Sequence, residues 1–281
     1  MPASPQEWTD YRIAEDRGIE LLHAHYIHHN YERHAHDSYA LGVTETGVQS
    51  FTYRGAYHAS GAGTALVLLP GEVHDGHSGV PEGFTYRMLY VEPRAIADAL
   101  ADAMERPTPL PFVPQPLLHD PRLARSVRAL HQSLSTPAPT LERDARFQET
   151  VVALATRHAD GGHRLPRLAT SPPALRRVRD YLHANFALDV SAADVAAVAG
   201  MSRFHASRQF RRSHGMAPHA YLLKLRLAEA RRLIAAGEPM AAAAAAAGFV
   251  DQSHLIRRFK GAFGITPGQY ARALRGTLTR W

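Results

Sequence analysis

Three histidines are spaced so that their rings can act together. His34-x-His36 places two imidazoles on the same side of an extended segment, and Pro70-Gly71-Glu72-Val73-His74 adds a third after an apolar run. Three imidazoles from two strands could hold Zn, Fe, Ni or Mn with a coordination position left open. The same rings could instead line the pocket of a small-molecule effector, or satisfy ordinary turn and core hydrogen bonds, and the residues alone leave all three readings open. His23 and His25 share a face too, and for them a structural role is expected. Nine of the 18 histidines precede residue 78, so the clustering itself asks for an explanation.

A second chemistry lies at the other end of the chain. At 100° per residue, Ala206 and Phe210 share one side of a helix and Leu255 and Phe259 share one side of another, which assigns those pairs to a core. The opposite sides present Phe204, Ser207, Arg208 and Arg211 on the first, and Gln252, Ser253, Ile256, Arg257 and Lys260 on the second. Arginine can grip guanine O6 and N7 with two hydrogen bonds, glutamine can do the same for adenine, and an apolar ring can contact a thymine methyl.

Charge divides the same way. The 281 residues carry a formal net charge of +6, but residues 171–281 hold +11 and residues 1–170 hold −5. A basic domain of about a hundred residues points to a polyanion, most often nucleic acid. Cysteine is absent, which excludes disulfide scaffolds, thiolate nucleophiles and Cys-type zinc sites. The longest unbroken apolar stretch, Ala241–Val250 with Met240 before it, falls well short of the ~18–20 residues of a membrane helix. The first residues lack a basic start followed by an apolar run, so a cytoplasmic protein is expected.

The basic half contains a repeat. A shift of 49 residues superimposes His205 on His254, Arg208 on Arg257, Phe210 on Phe259, Gly215 on Gly264, Pro218 on Pro267 and Tyr221 on Tyr270. Each unit reads as helix, Gly-containing turn, helix. In the first, Ser191 and Asp194 form a shortened capping box, Gly200 ends the helix and Ser202 caps the next. In the second, a helix at 239–247 is followed by a turn at Gly248-Phe249 and a helix at 252–262 capped by Asp251. A helix at 173–186 precedes the units and a long one at 217–236 joins them.

The acidic half reads as closely spaced strands, LLHAHYIHH, SYALGVTETG, VQSFTYRG, GTALVLLPG and FTYRMLYVEP, the pattern of a small barrel or sandwich. Helices are expected at 93–104, through Leu123, Val127, Leu130 and Leu134, and at 139–159. The spacing of those four residues makes a narrow seam suited to another helix, one that either covers the barrel or joins a second copy of the chain.

Residues 175–275 resemble the double helix-turn-helix domain of the AraC/XylS family of bacterial transcription factors, most specifically in GF-x-DQSH-x4-FK-x2-FG-x-TP-x2-Y. The resemblance implies two recognition helices in successive major-groove segments of double-stranded DNA, with contacts at Phe204, Ser207 and Arg208 and at Gln252, Ser253 and Arg257. RHAHDSYALGVTETG and LLPGEVHDGHSG are similar to the sensor domain of that family and to the cupin motifs H-x-H and P-G-x-x-H. For a cupin carboxylate, Glu45 is the nearest candidate, further along the chain than usual.

The resulting expectation is an α+β two-domain protein, with an N-terminal cupin-like β-barrel and flanking helices and a C-terminal all-α double helix-turn-helix. Its divisions are 1–95 for the barrel, 96–160 for a helical region, 161–173 for a linker and 174–276 for the DNA-binding domain, with units at about 191–214 and 239–262. Function follows as a non-enzymatic transcriptional regulator. His34, His36 and His74 are its effector or metal residues, no cofactor is required, and a divalent metal is a candidate. The partners implied are DNA, a small-molecule effector, RNA polymerase and a second copy of the chain through the Leu123–Leu134 seam, with no membrane. The alternatives are a metal-dependent cupin enzyme fused to a helix-turn-helix module, and a DNA-architectural protein with a vestigial barrel. Two residues depart from the family pattern, since Ala243 and Ala206 stand where larger aliphatic side chains are usual, and both helix-turn-helix cores are therefore light.

Overall fold

The computed structural model describes residues 6–14, 17–166 and 171–278, with side chains as far as residue 274. Residues 167–170 of the expected linker lie outside these. The chain divides into two compact units, residues 1–136 with 146–166 in one and 137–145 with 167–281 in the other.

The first unit contains β1 (Trp8–Ala14), β2 (Ile19–Tyr26), β3 (Tyr31–His34), β4 (Tyr39–Tyr53), β5 (Ala56–Gly61), β6 (Ala65–Leu68), β7 (His74–Ser78), β8 (Phe84–Val91), α1 (Pro93–Met104), β9 (Leu117–Leu118), α2 (Pro121–Ser135) and most of α3 (Thr140–His158). SYALGVTETG and VQSFTYRG, expected as two strands, are the single 15-residue strand β4. Its first half pairs with β6 and β8, and its second half pairs with β5 and β7. The change of partners occurs at Gly47, in the left-handed region with φ +69°, next to an irregularity between Thr44 and Thr46. A side chain at Gly47 would run into the Gly83 carbonyl, so only glycine fits this corner.

Two sheets share β4, one ordered β1-β2-β8-β4-β6-β9 and the other formed by β5, β4, β7 and β3. Among the described residues their ladders do not close into a ring, so the expected cupin-like barrel is an open, folded-over sheet. Phe51, Tyr53, Leu66, Leu68, Phe84, Tyr86 and Met88 fill the space between the two sheets. The opposite face, with Leu21, Leu41, Val43, Leu89 and Val91, packs under α1, α2 and α3. Both faces of the central strands are therefore buried, which explains why β6 (ALVL) shows no polar alternation.

The helices form close to where their sequence signals place them. Pro93 opens α1 at a position that needs no N–H donor. Asp120 caps α2, accepting hydrogen bonds from the Arg122 and Leu123 amides at 2.9 and 3.3 Å. Leu123, Val127 and Leu130 are at most 3 % exposed and Leu134 packs against the same cluster, so the expected dimer seam is consumed in covering the sheet.

The second unit contains α4 (Pro172–Ala184), α5 (Ala192–Ala199), α6 (Arg203–His214), α7 (Pro218–Ala235), α8 (Met240–Ala246), α9 (Gln252–Phe263) and α10 (Pro267–Leu278). The Ser191–Asp194 capping box is formed in both directions, Gly200 terminates α5 in the left-handed conformation, and Ser202 and Asp251 cap α6 and α9 through the His205 and His254 amides. Gly215 and Gly264 end those helices with φ +75° and +77°, and Pro218 and Pro267 begin the next ones. The 49-residue sequence repeat is thus a repeat of cap, buried phenylalanine, left-handed glycine and helix-opening proline.

Helix α7 serves two cores from two stretches of its surface. Leu222 joins Leu175, Val178, Val195, Ala206 and Phe210, while Leu227, Ala230 and Ile234 join Ala243, Ala244, Ala247, Leu255 and Phe259. The buried α8 residues of the second core, Ala243 and Ala244, offer only methyl groups, with Met240 packed partly buried at its margin, and at roughly 0.8 kcal/mol per buried CH2 these methyls stabilise far less than larger side chains would. Helix α8 also has no side-chain hydrogen bond at its N-cap, Pro239. We therefore expect amides of Ala241–Lys260 to exchange with deuterium faster than those of Ala206–Phe210 in DNA-free protein. Equal protection of the two segments by exchange mass spectrometry would contradict this.

Candidate effector site and DNA interface

Strands β3 and β7 pair antiparallel with His34 directly opposite His74, and His36 follows β3. The three rings converge, with centroids 4.4 Å apart for His34 and His74, 4.8 Å for His36 and His74 and 5.9 Å for His34 and His36. One ring nitrogen from each lies within 4.8 Å of the others. Every Nδ1 lies within hydrogen-bond range of a backbone carbonyl: Glu32 at 2.7 Å for His34, Ser38 at 3.1 Å for His36 and Glu72 at 2.9 Å for His74. A carbonyl only accepts, so each Nδ1 carries the proton in these bonds and the neutral ring keeps its Nε2 lone pair. Burial holds the pKa of His36 and of His74 below the usual imidazole value, which favours the neutral form that ligates. The donor set therefore fits a divalent transition metal.

Glu45 does not join the triad. Its carboxylate accepts from Arg87 at 2.9 Å and Arg128 at 3.0 Å, and faces His23 Nε2 at 3.1 Å. Arg87 also reaches His131, a buried residue of α2 whose Nε2 lies 3.1 Å from the Leu22 carbonyl. Glu45 thus ties β4, β8, β2 and α2 together, and its candidacy as a metal carboxylate ends there. His23 and His25, the latter 3.0 Å from the Thr85 hydroxyl, are structural as expected.

Beside the histidines opens a cavity of about 910 Å³, with Tyr11, Tyr26, Glu20 and Glu92 among its walls. Tyr11 donates to the Glu20 carboxylate, and this bond raises the phenol pKa to about 12. Tyr31, His36 and Tyr90 line both this cavity and a smaller one of about 20 Å³ around the triad. A molecule in the larger space would touch His36 and leave His34 and His74 behind it. The tyrosines, scattered through four strands, carry no spacing signal, and the sequence reading missed them.

In the second unit, Ala206 and Phe210 are fully buried and so, within 1 %, are Leu255 and Phe259. The turned-out residues follow: Arg211, Gln252, Ser253, Arg257 and Lys260 are exposed, and Phe204, Ser207 and Arg208 are half-buried. Arg226 of α7, 2 % exposed, donates to the Phe186 and Leu188 carbonyls, each at 2.7 Å, and so pins the loop between α4 and α5. The 49-residue shift sets it on Arg275, a match the sequence shows, but its burial carries no sequence signal. Arg258 pairs with Glu142 at 2.5 Å and donates to His254 at 3.2 Å.

A sequence profile described as the AraC-like ligand binding domain matches residues 17–151, and a helix-turn-helix domain profile matches residues 195–273. YbfI of Bacillus subtilis (strain 168), described as an uncharacterized HTH-type transcriptional regulator, is 26 % identical over 237 residues, which are 84 % of this chain and 86 % of that one. The transcriptional activator NphR of a Rhodococcus species is 35 % identical over 111 residues, 37 % of this chain and 33 % of that protein. Among solved structures, the C-terminal domain of AraT, a response regulator from Geobacillus stearothermophilus, is 29 % identical and covers 38 % of this chain and 88 % of that chain, with a TM-score of 0.35. A ligand-binding domain followed by a DNA-binding helix-turn-helix domain defines a transcriptional regulator. The chain belongs to the AraC family of these regulators.

Two buried histidines set the acid response. Burial, with Arg87 next in weight for His131 and Arg258 for His254, pushes both pKa values down to about 4. Unfolded histidine titrates near 6.5, so below that pH the unfolded chain takes up protons that the folded one refuses. Stability should fall as the pH drops from about 6.5 to about 4. Calorimetry across that range checks this, and a melting temperature that stays flat between pH 7 and 5 would exclude it.

Proposed function

We propose that this regulator recognises its operator through Phe204, Ser207, Arg208 and Arg211 of α6 and Gln252, Ser253, Arg257 and Lys260 of α9, under control of a small molecule held in the N-terminal unit. The observation that carries the effector half is the 910 Å³ cavity, which shares Tyr31, His36 and Tyr90 with the histidine cluster inside the ligand-binding domain. The effector acts by binding one state of the protein more tightly than another, since equal affinity would shift nothing.

The three histidines are proposed to hold a divalent cation behind that cavity. There it would supply a Lewis-acidic position, while His34, His36 and His74 fix its place through their carbonyl-anchored rings. Family membership supports a regulator over an enzyme, and supports RNA polymerase and a second copy of the chain as partners. That copy must dock elsewhere than on Leu123, Val127 and Leu130. Among the described residues no helix is long and apolar enough to cross a membrane, and a cytoplasmic place beside the DNA is part of the proposal.

Replacing Arg208 or Arg257 by alanine should weaken operator binding by ~1–3 kcal/mol and leave random-sequence binding nearly intact. Equal losses on both DNAs in a gel-shift titration would reassign them to phosphate contact. A metabolite that raises the melting temperature in a thermal-shift screen should also change operator affinity, and Tyr90→Ala should remove both effects. Retention of both in the variant would place the effector outside the cavity.

A further inference from the structure

Three donors leave a transition-metal ion short of a protein-held set, and two carboxylates that could be asked to complete it, the cupin candidate Glu45 and the cavity-lining Asp75, are committed elsewhere. Glu45 is held by Arg87, Arg128 and His23. Asp75, the only acidic residue around the small cavity among the described residues, accepts the Thr52 amide hydrogen at 2.6 Å. Gln49 is different. It lies on the bent half of β4 opposite Ser78 of β7, it is 6 % exposed, and its side-chain oxygen has no hydrogen-bond partner. A buried carbonyl left unsatisfied costs about 1–3 kcal/mol, so a native fold that retains one invites an explanation.

The explanation is in the lining. Gln49, His34, His36 and His74 all border the same cavity of about 20 Å³, enough for one body the size of a water molecule. Gly76, between His74 and Ser78 on β7, presents no side chain to the amide: a Cβ built there would lie 3.9 Å from Gln49 Nε2. Tyr31, which pairs with Gly76 from the other side, has its hydroxyl 2.8 Å from that of Tyr86, and no hydrogen bond reaches the glutamine oxygen.

We propose that the Gln49 side-chain oxygen is the fourth protein donor, completing with His34, His36 and His74 a neutral three-nitrogen, one-oxygen site for a borderline divalent cation such as Zn²⁺ or Co²⁺. The inference rests on reading the three histidines as a cation site. Four neutral donors leave the ion its full double charge. Three imidazoles favour zinc-like ions over Mg²⁺ and Ca²⁺, which take oxygen ligands.

The test uses the full-length protein stripped of metal and titrated with Co²⁺, followed by visible absorption and by Zn²⁺ competition. One equivalent should bind with a ligand-field band, Mg²⁺ should not compete, and His74→Ala should abolish the band while circular dichroism stays unchanged. Gln49→Ala should weaken Co²⁺ binding about tenfold or more and alter the band, as loss of a ligand requires. Gln49→Glu should restore a donor oxygen and bind at least as tightly as the parent protein. Unchanged affinity and band in Gln49→Ala, or weaker binding in Gln49→Glu, would overturn the role of Gln49 and leave the histidine site standing. Absence of stoichiometric binding in the parent protein would overturn both.

Discussion

A strand cannot leave one sheet and enter another without a residue that tolerates the corner, and Gly47 is that residue in the first unit. Because β4 turns there, its first half lies in the central, doubly covered sheet and its second half forms the wall against β7. The β7 ladder in turn places His74 opposite His34. A straight β4 would leave the two sheets side by side, with no interior for Phe51, Tyr53 and Tyr86 and no convergence of histidines.

How much of this was legible in the sequence differs between the halves for a physical reason. In the second unit the signals are local: caps at Ser191, Ser202 and Asp251, left-handed glycines at 200, 215 and 264, and apolar spacing at 206–210 and 255–259. Local hydrogen bonds and helical periodicity decide those features, so they can be read from a few neighbouring residues. In the first unit, β1, β3, β5 and β7 were not read, since they are edge-lying or polar and lack an alternating apolar face. The H-x-H and P-G-x-x-H spacing pointed to the triad. Glu45 as a metal carboxylate, and the choice between covering and dimer roles for the Leu123–Leu134 seam, could not be decided from spacing, because their partners, Arg87 and Arg128 in one case and the covered sheet in the other, are chosen by tertiary packing across long stretches of chain.

Polar groups in the first unit divide into two kinds. Glu45 and His131 have partners that bind α2 to the sheet, and Asp120 joins the start of α2 to Arg157 and His158 of α3. His34, His36 and His74 each hold Nδ1 against a backbone carbonyl, and one ring nitrogen of each lies within 4.8 Å of the others. Orientation without satisfaction separates the proposed cation site from the scaffold here, even though histidine serves in both.

The repeat in the second unit is exact in its frame and unequal on the outward faces of α6 and α9. The 49-residue shift sets Arg208 on Arg257 and Arg211 on Lys260, but Phe204 on Ser253 and Ser207 on Ile256. If these faces meet DNA as proposed, two modules with like basic positions and unlike neighbours cannot be exchanged end for end. A single chain docked through them would face one way along the double helix, and a lone, non-palindromic site would give the regulator a direction.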